Sequence, residues 1–166
     1  MSDYALSSLN YDLIIGGDNE GEIMHAKSLL KKEFEMKDLG ELRYFLGIEI
    51  IHTKEGIWLS QRQYALDMLP KYGMADCKPI SMPLDKNVKL RADEGQVLED
   101  VTMYRQIVGS LIYLTISRLD LSYTVGLESQ FMQLLRKPHL DVVRHTLCYV
   151  SATLDYALFY EASTEL

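Results

Sequence analysis

The chain has 166 residues, 48% of them hydrophobic, with 17 Lys and Arg against 24 Asp and Glu for a formal net charge of −7. That length can bury a genuine core, and a charged fraction of 25% excludes a disordered tail. The acidic balance argues against a stand-alone nucleic-acid binder, which needs clustered cations to neutralise phosphates.

Elements can be read in chain order. Asn10 to Ile15 is a short apolar run around Asp12 that ends at the turn signal Gly16-Gly17. Residues 3–9 carry a weak strand or helix signal ahead of it. Asn19 reads as a helix N-cap, with Glu22 three residues on and Ile23, Ala26, Leu29, Leu30 and Phe34 at helical spacing. The β-branched and aromatic run Tyr44 to Ile51 predicts a strand. Lys54-Glu55-Gly56 predicts a turn and Ile57-Trp58-Leu59 the return strand of a hairpin. Ser60-Gln61-Arg62-Gln63 resembles a capping box opening a short helix that stops near Gly73, with Pro70 awkwardly inside it.

Residues 74–101 read as an extended joint containing Pro79, Pro83 and Gly95. Three helices are expected over 102–152. The first carries Met103, Ile107, Leu111 and Leu114, with Gly109 and Ser110 allowing a close approach. The second runs through Leu121, Val125, Met132 and Leu135, with Leu127, Phe131 and Leu134 on a second stripe. The third opens at Pro138. Tyr156 to Tyr160 suggests a terminal strand.

The most apolar stretch, Ile107 to Leu127, is interrupted by Arg118 and Asp120, so no membrane span is expected. Cys77 and Cys148 form neither a disulfide framework nor a zinc pattern, and the start Met1-Ser2-Asp3-Tyr4 lacks signal-peptide character. Together these predict an intracellular, cytoplasmic protein. His25, His52, His139 and His145 have no partners at metal-ligand spacing and read as surface or structural. His145 and Cys148 lie one helical turn apart, which permits a two-ligand arrangement but more readily a half-buried face. No Walker, dinucleotide or nucleophile-elbow motif occurs, so no cofactor and no metal are expected.

The order of motifs resembles copia-type retrotransposon reverse transcriptases. The resemblance rests on Asp12-Leu13-Ile14-Ile15-Gly16-Gly17-Asp18-Asn19, on Phe34 to Gly40, on Tyr44-Phe45-Leu46-Gly47-Ile48-Glu49, and on Gly56 to Gln61. It continues through Gly73-Met74, Cys77-Lys78-Pro79, Tyr104 to Leu114 and Leu154-Asp155-Tyr156. It implies an α+β fold: a truncated polymerase-palm-like sheet with helices over 1–73, a linker over 74–101, and a three-helix thumb-like or connection-like bundle with a terminal strand over 102–166. The hairpin over 44–59 takes the place of the primer grip, with Phe45, Leu46, Gly47, Gly56 and Trp58 as its marker residues.

Departures from the pattern shape the functional expectation. The family's Tyr-x-Asp-Asp catalytic turn aligns with Leu9, Asn10, Tyr11 and Asp12, so Asp12 is a vestigial metal-ligand position and Tyr11 a substituted one. Two-metal phosphoryl transfer needs convergent carboxylates, and the family's other metal aspartate, its fingers and its RNase H domain lie outside these 166 residues. The third helix, basic in the family, has Arg144 as its only formal cation after Pro138, and residues 102–166 hold 5 basic against 6 acidic residues. The resulting expectation is a non-catalytic protein acting by self-association or through a host protein partner, as an interference or genetic-conflict factor of the toxin or antidote type. Its interaction candidates are Leu13, Ile14, Ile15, Leu127, Phe131 and Leu134. The alternatives are a subunit of a reverse transcriptase assembled in trans and a weak nucleic-acid-binding remnant.

Overall fold

The computed structural model describes residues 2–7 and 12–162. They form two compact units, Met1–Leu46 and Gly47–Leu166, built as an α+β arrangement with two antiparallel sheets.

In the first unit, strands β1 (Ser2–Ser7), β2 (Asp12–Gly17) and β3 (Lys37–Glu41) form a sheet in the order β2-β1-β3. The weakly signalled segment ahead of Asp12 is therefore the central strand. It pairs with β2 from Ser2↔Gly17 to Ser7↔Asp12. On its other side it pairs with β3, with an irregularity between Ala5 and Leu6. Helix α1 (Glu20–Glu33) starts where expected, because the Asn19 side chain accepts from the N–H groups of Gly21 and Glu22 and donates to Glu22 Oε1. Ile23 and Lys27 are its buried residues. Lys27 lies 4.0 Å from the Tyr4 ring centroid and 2.9 Å from Asp38 Oδ2, which Lys31 also contacts at 2.9 Å. A buried ammonium is tolerated only with such pairing. The unit ends in a two-residue strand β4, Tyr44–Phe45. The single strand expected over 44–51 is broken, because Leu46 and Gly47 take φ of +47° and +79°, a turn conformation that interrupts a ladder.

In the second unit, strands β5 (Ile48–His52), β6 (Gly56–Ser60) and β7 (Leu158–Glu161) are hydrogen-bonded in that order. The hairpin predicted around Lys54-Glu55-Gly56 is present as β5–β6, held by the Thr53 hydroxyl donating to the Gly56 carbonyl and accepting from the Gly56 N–H. The terminal strand pairs with β6, placing Phe159 opposite Trp58 with ring centroids 4.5 Å apart. Gly56 has φ +155°, and a Cβ there would overlap the Tyr160 carbonyl.

Helix α2 (Arg62–Lys71) ends one residue after Pro70. The expected capping box is absent. Gln61 is the N-cap, Ser60 Oγ accepts from the N–H of Arg62, and Gln63 turns to Asp67. Gln61 is instead drawn inward, donating to the Tyr113 carbonyl and accepting from the Ser117 hydroxyl.

Helices α3 (Thr102–Leu114), α4 (Ser122–Ser129) and α5 (Lys137–Ala152) supply most of the core. Tyr104, Ile107, Val108, Leu111 and Leu114 of α3 meet Val143, Leu147 and Val150 of α5 and Ala65, Met68 and Leu69 of α2. Met103 is exposed and Tyr104 takes the buried position beside it, while Gly109 faces open space rather than a close neighbour. The second helix is shorter than its apolar pattern suggests. It follows a 3-10 turn at Leu119–Leu121 and stops at Ser129, so Leu135 enters the core from the loop.

Residues 74–101 contain no helix or ladder strand, yet they are fastened to α5 and belong to the second unit. Arg136 donates to the carbonyls of Ala92 and Gly95, both at 2.7 Å. His139 accepts at Nδ1 from the Arg136 N–H and places Nε2 at 3.0 Å from the Arg91 carbonyl. His145 Nε2 lies 3.0 Å from the Met82 carbonyl. His139 is thus a buried structural residue.

Candidate functional site

The residues aligned with the catalytic turn divide in two. Tyr11 lies outside the described residues. Asp12 opens β2, opposite Ser7, and is exposed. Among the described residues no group of three or more His, Cys, Asp or Glu side chains is placed to hold a metal ion. Chemically, Asp12 is a surface carboxylate at the start of an antiparallel strand.

The same strand carries the exposed apolar residues. Among the described residues β2 is paired only with β1, so its other row of backbone N–H and C=O groups lies at an edge of the described sheet. Leu13 and Ile14 are each 38% exposed, while Ile15, opposite Tyr4, is half-buried. Leu13, Ile14 and Ile15 therefore lie together, as a strand requires, but on alternating faces.

The second set of interaction candidates lies in the second unit and is not one surface. Leu127 is half-buried on α4. The Phe131 ring stacks on His139 with centroids 3.9 Å apart. Only Leu134 is largely exposed. Early termination of α4 removes the helical register that would have aligned the three.

The primer-grip-like residues are also divided. Phe45 and Leu46 belong to the first unit, and Gly47, Gly56 and Trp58 to the second. Gly56 and Trp58 sit on one strand, where Trp58 is partly exposed and lines a shallow hollow with Arg118 and Tyr156. Arg118 itself is buried and fully engaged. Its Nε and Nη2 grip both carboxylate oxygens of Asp120 at 2.9 and 2.7 Å, and Nη1 and Nη2 reach the carbonyl and hydroxyl of Thr153. Burial raises the Asp120 carboxyl, but Arg118 and the Tyr149 hydroxyl outweigh it and hold it below the usual range. This cation is a structural clasp and is not available to a phosphate.

Sequence reading missed a buried acid raised well above its ordinary value. Glu128, near the end of α4, is fully buried. The Thr146 hydroxyl donates to its Oε1 at 2.6 Å, while Oε2 has no hydrogen-bond partner among the described residues. Burial pushes its carboxyl up to about 7, against the lowering effect of Thr146. Helical spacing offered one signal, since Glu128 falls one turn after the buried Thr124.

The comparisons with known proteins decide the family. A family model described as reverse transcriptase (RNA-dependent DNA polymerase) matches residues 6–86. The retrovirus-related Pol polyproteins from transposons RE2 and RE1 of Arabidopsis thaliana are 37% and 38% identical, each over 93% of this chain. The chain belongs to the copia-type reverse transcriptase family. It spans 11% of the length of each of those two polyproteins. A shorter relative, an uncharacterized mitochondrial protein of Arabidopsis thaliana, is 35% identical over 93% of this chain and 64% of its own length. No solved structure gave a significant match. Among the described residues of this reverse-transcriptase-family chain, no helix is long and apolar enough to cross a membrane.

Proposed function

We propose that this reverse-transcriptase-family chain does not polymerise nucleic acid on its own and acts instead by protein–protein contact through the β2 edge. The observation that carries the reading is that, among the described residues, β2 is paired on one side only, with Leu13 and Ile14 exposed along it. An edge strand with exposed apolar residues is a template for a further strand. The occupant is a second copy or a host protein, and an interference or genetic-conflict role of the toxin or antidote type is the biological form this takes. The non-catalytic part rests on Tyr11 standing where the family places the first aspartate of its paired carboxylates. A phenol has ordinary acidity near pH 10 and does not replace a carboxylate on a divalent ion.

A second reading has its own support. Strands β1 and β2 are paired from Ser2↔Gly17 to Ser7↔Asp12 and Asp12 is exposed, as a subunit completed in trans by an N-terminal half would require.

Light scattering after size exclusion, on the wild type and on the double variant Leu13→Lys, Ile14→Lys, tests the first reading. The wild type forms a dimer or a complex with a captured protein, and the double variant is monomeric and uncaptured. Equal behaviour of the two sinks the β2 edge as the contact. Primer extension with magnesium, with and without a supplied N-terminal half, separates the readings. Extension by the mixture supports assembly in trans, and extension by the chain alone overturns both.

A further inference from the structure

Cys77 and Cys148 are the chain's only cysteines and lie far apart in sequence. The fold brings them together. Both are half-buried free thiols, and Cys77 is a neighbour that acts on the Cys148 thiol. The course of the coil explains the meeting. Its residues run antiparallel along α5: Gly95 and Ala92 lie at Arg136, Arg91 at His139, Met82 at His145, and Pro83 at Thr146. Continuing back toward the start of the coil, Cys77 reaches the turn of α5 that carries Cys148, one turn beyond His145.

We propose that Cys77 and Cys148 are a dithiol–disulfide pair that, when oxidised by a small-molecule disulfide such as oxidised glutathione, staples the 74–101 segment onto α5. The Cys77 thiolate attacks one sulfur of the oxidant, forming a mixed disulfide and releasing one thiolate. The Cys148 thiolate then attacks Cys77 Sγ, forming the Cys77–Cys148 bond and releasing the second. Two protein thiols are oxidised, one small disulfide is reduced to two thiols, and the two protons go to the leaving thiolates. The order of attack follows from the surroundings. Burial first and the neighbouring Cys77 second push the Cys148 thiol up to about 12, so Cys148 is a poor first nucleophile and acts second, its proton passing to the departing thiolate.

The pair differs from a metal site, since no third His, Cys, Asp or Glu joins it among the described residues. It also differs from a generic exposed thiol, because a second, half-buried thiol is its neighbour. The segment is otherwise fastened by hydrogen bonds, which open and close individually, and by packing of Met74, Leu98 and Val101 on the core. A covalent link at its start would hold the whole coil in register on α5.

The test uses the full chain, first reduced and then equilibrated with oxidised glutathione. The expected product has lost two hydrogens, carries no glutathione, and yields a Cys77–Cys148 crosslinked peptide under non-reducing digestion. Tryptic cleavage after Lys86, Lys89 and Arg91 slows tenfold or more relative to the reduced chain. Cys148→Ser retains one glutathione on Cys77, as a trapped first step. Stable glutathione adducts on the wild type, disulfide-linked dimers through these cysteines, thiols unmodified at a ratio that oxidises free cysteine, or unchanged cleavage of the oxidised product each overturn the proposal.

Discussion

Replacing Glu128 with methionine should stabilise the protein, and more so as the pH rises. The carboxyl is fully buried with one oxygen unpartnered, and its ionisation moves from 4.5 to about 7 on folding. A raised acid favours the protonated folded state. No penalty therefore exists well below 4.5, and stability falls as the pH climbs through the window from 4.5 to about 7. At about 1.4 kcal/mol per pH unit, the cost at pH 8 is about 3 kcal/mol, and at pH 5 less than about 1 kcal/mol. Methionine keeps the length and helix preference of glutamate and removes the charge. The Thr146 hydroxyl retains the carbonyls of Val142 and Pro83, both at 3.2 Å, as alternative acceptors. Tyr104, whose hydroxyl donates to the Glu128 carbonyl, is raised by burial first and by the Glu128 charge second, so it stays protonated across this range. Urea denaturation of wild type and Glu128→Met at pH 5 and pH 8 measures the difference directly. A gain of stability that is the same at both values, or a loss at pH 8, would refute the assignment of Glu128 as a buried, strained acid.

Other substitutions report on separate parts of the molecule. Asp38→Asn leaves the buried Lys27 ammonium without its counter-ion and should cost the first unit about 3 kcal/mol. Faster amide exchange in β1 and β3 is the readout. Hydrogen bonds from Lys27 first and Lys31 second hold the Asp38 carboxyl well below its usual range, so its contribution is present above pH 3.8 and is lost as the pH falls below that value. Arg118→Lys should lower thermal stability by about 2 kcal/mol or more, because a lysine cannot reproduce the bidentate grip on Asp120 together with both Thr153 bonds. Gly56→Ala forces a Cβ into the Tyr160 carbonyl and should cost more than about 1 kcal/mol. The emission of Trp58, the only tryptophan, should shift as its stacking on Phe159 is lost.

The parts of this fold written in local pattern were readable from sequence. Asn19 announces α1 because a cap needs only residues two and three positions away, and Lys54-Glu55-Gly56 announces the β5–β6 hairpin for the same reason. Pairings that depend on distant chain were not readable. The role of β1 as a central strand depends on β3, and apolar spacing cannot report that. The end of α4 at Ser129 was obscured because Met132 and Leu135 continue the apolar spacing, although Leu135 reaches the core from a loop. The fastening of residues 74–101 runs through backbone carbonyls, which every residue possesses and no side-chain pattern marks. At the catalytic-turn position the substitution of Tyr11 was plain from the residues, whereas the burial of Glu128 and the meeting of Cys77 with Cys148 arise only from packing.

The last described strand has a consequence for synthesis. β6 receives one of its two neighbours, β5, within a few residues, but the other, β7, only after all the helices of its unit. On the ribosome, the β6 edge and the Trp58 ring beside it stay uncovered until the strand at Leu158–Glu161 has left the exit tunnel. A premature stop or frameshift ahead of Leu158 would therefore leave most of the core sequence intact and still produce a chain with a bare, tryptophan-bearing edge, the kind of surface that aggregates or recruits quality control.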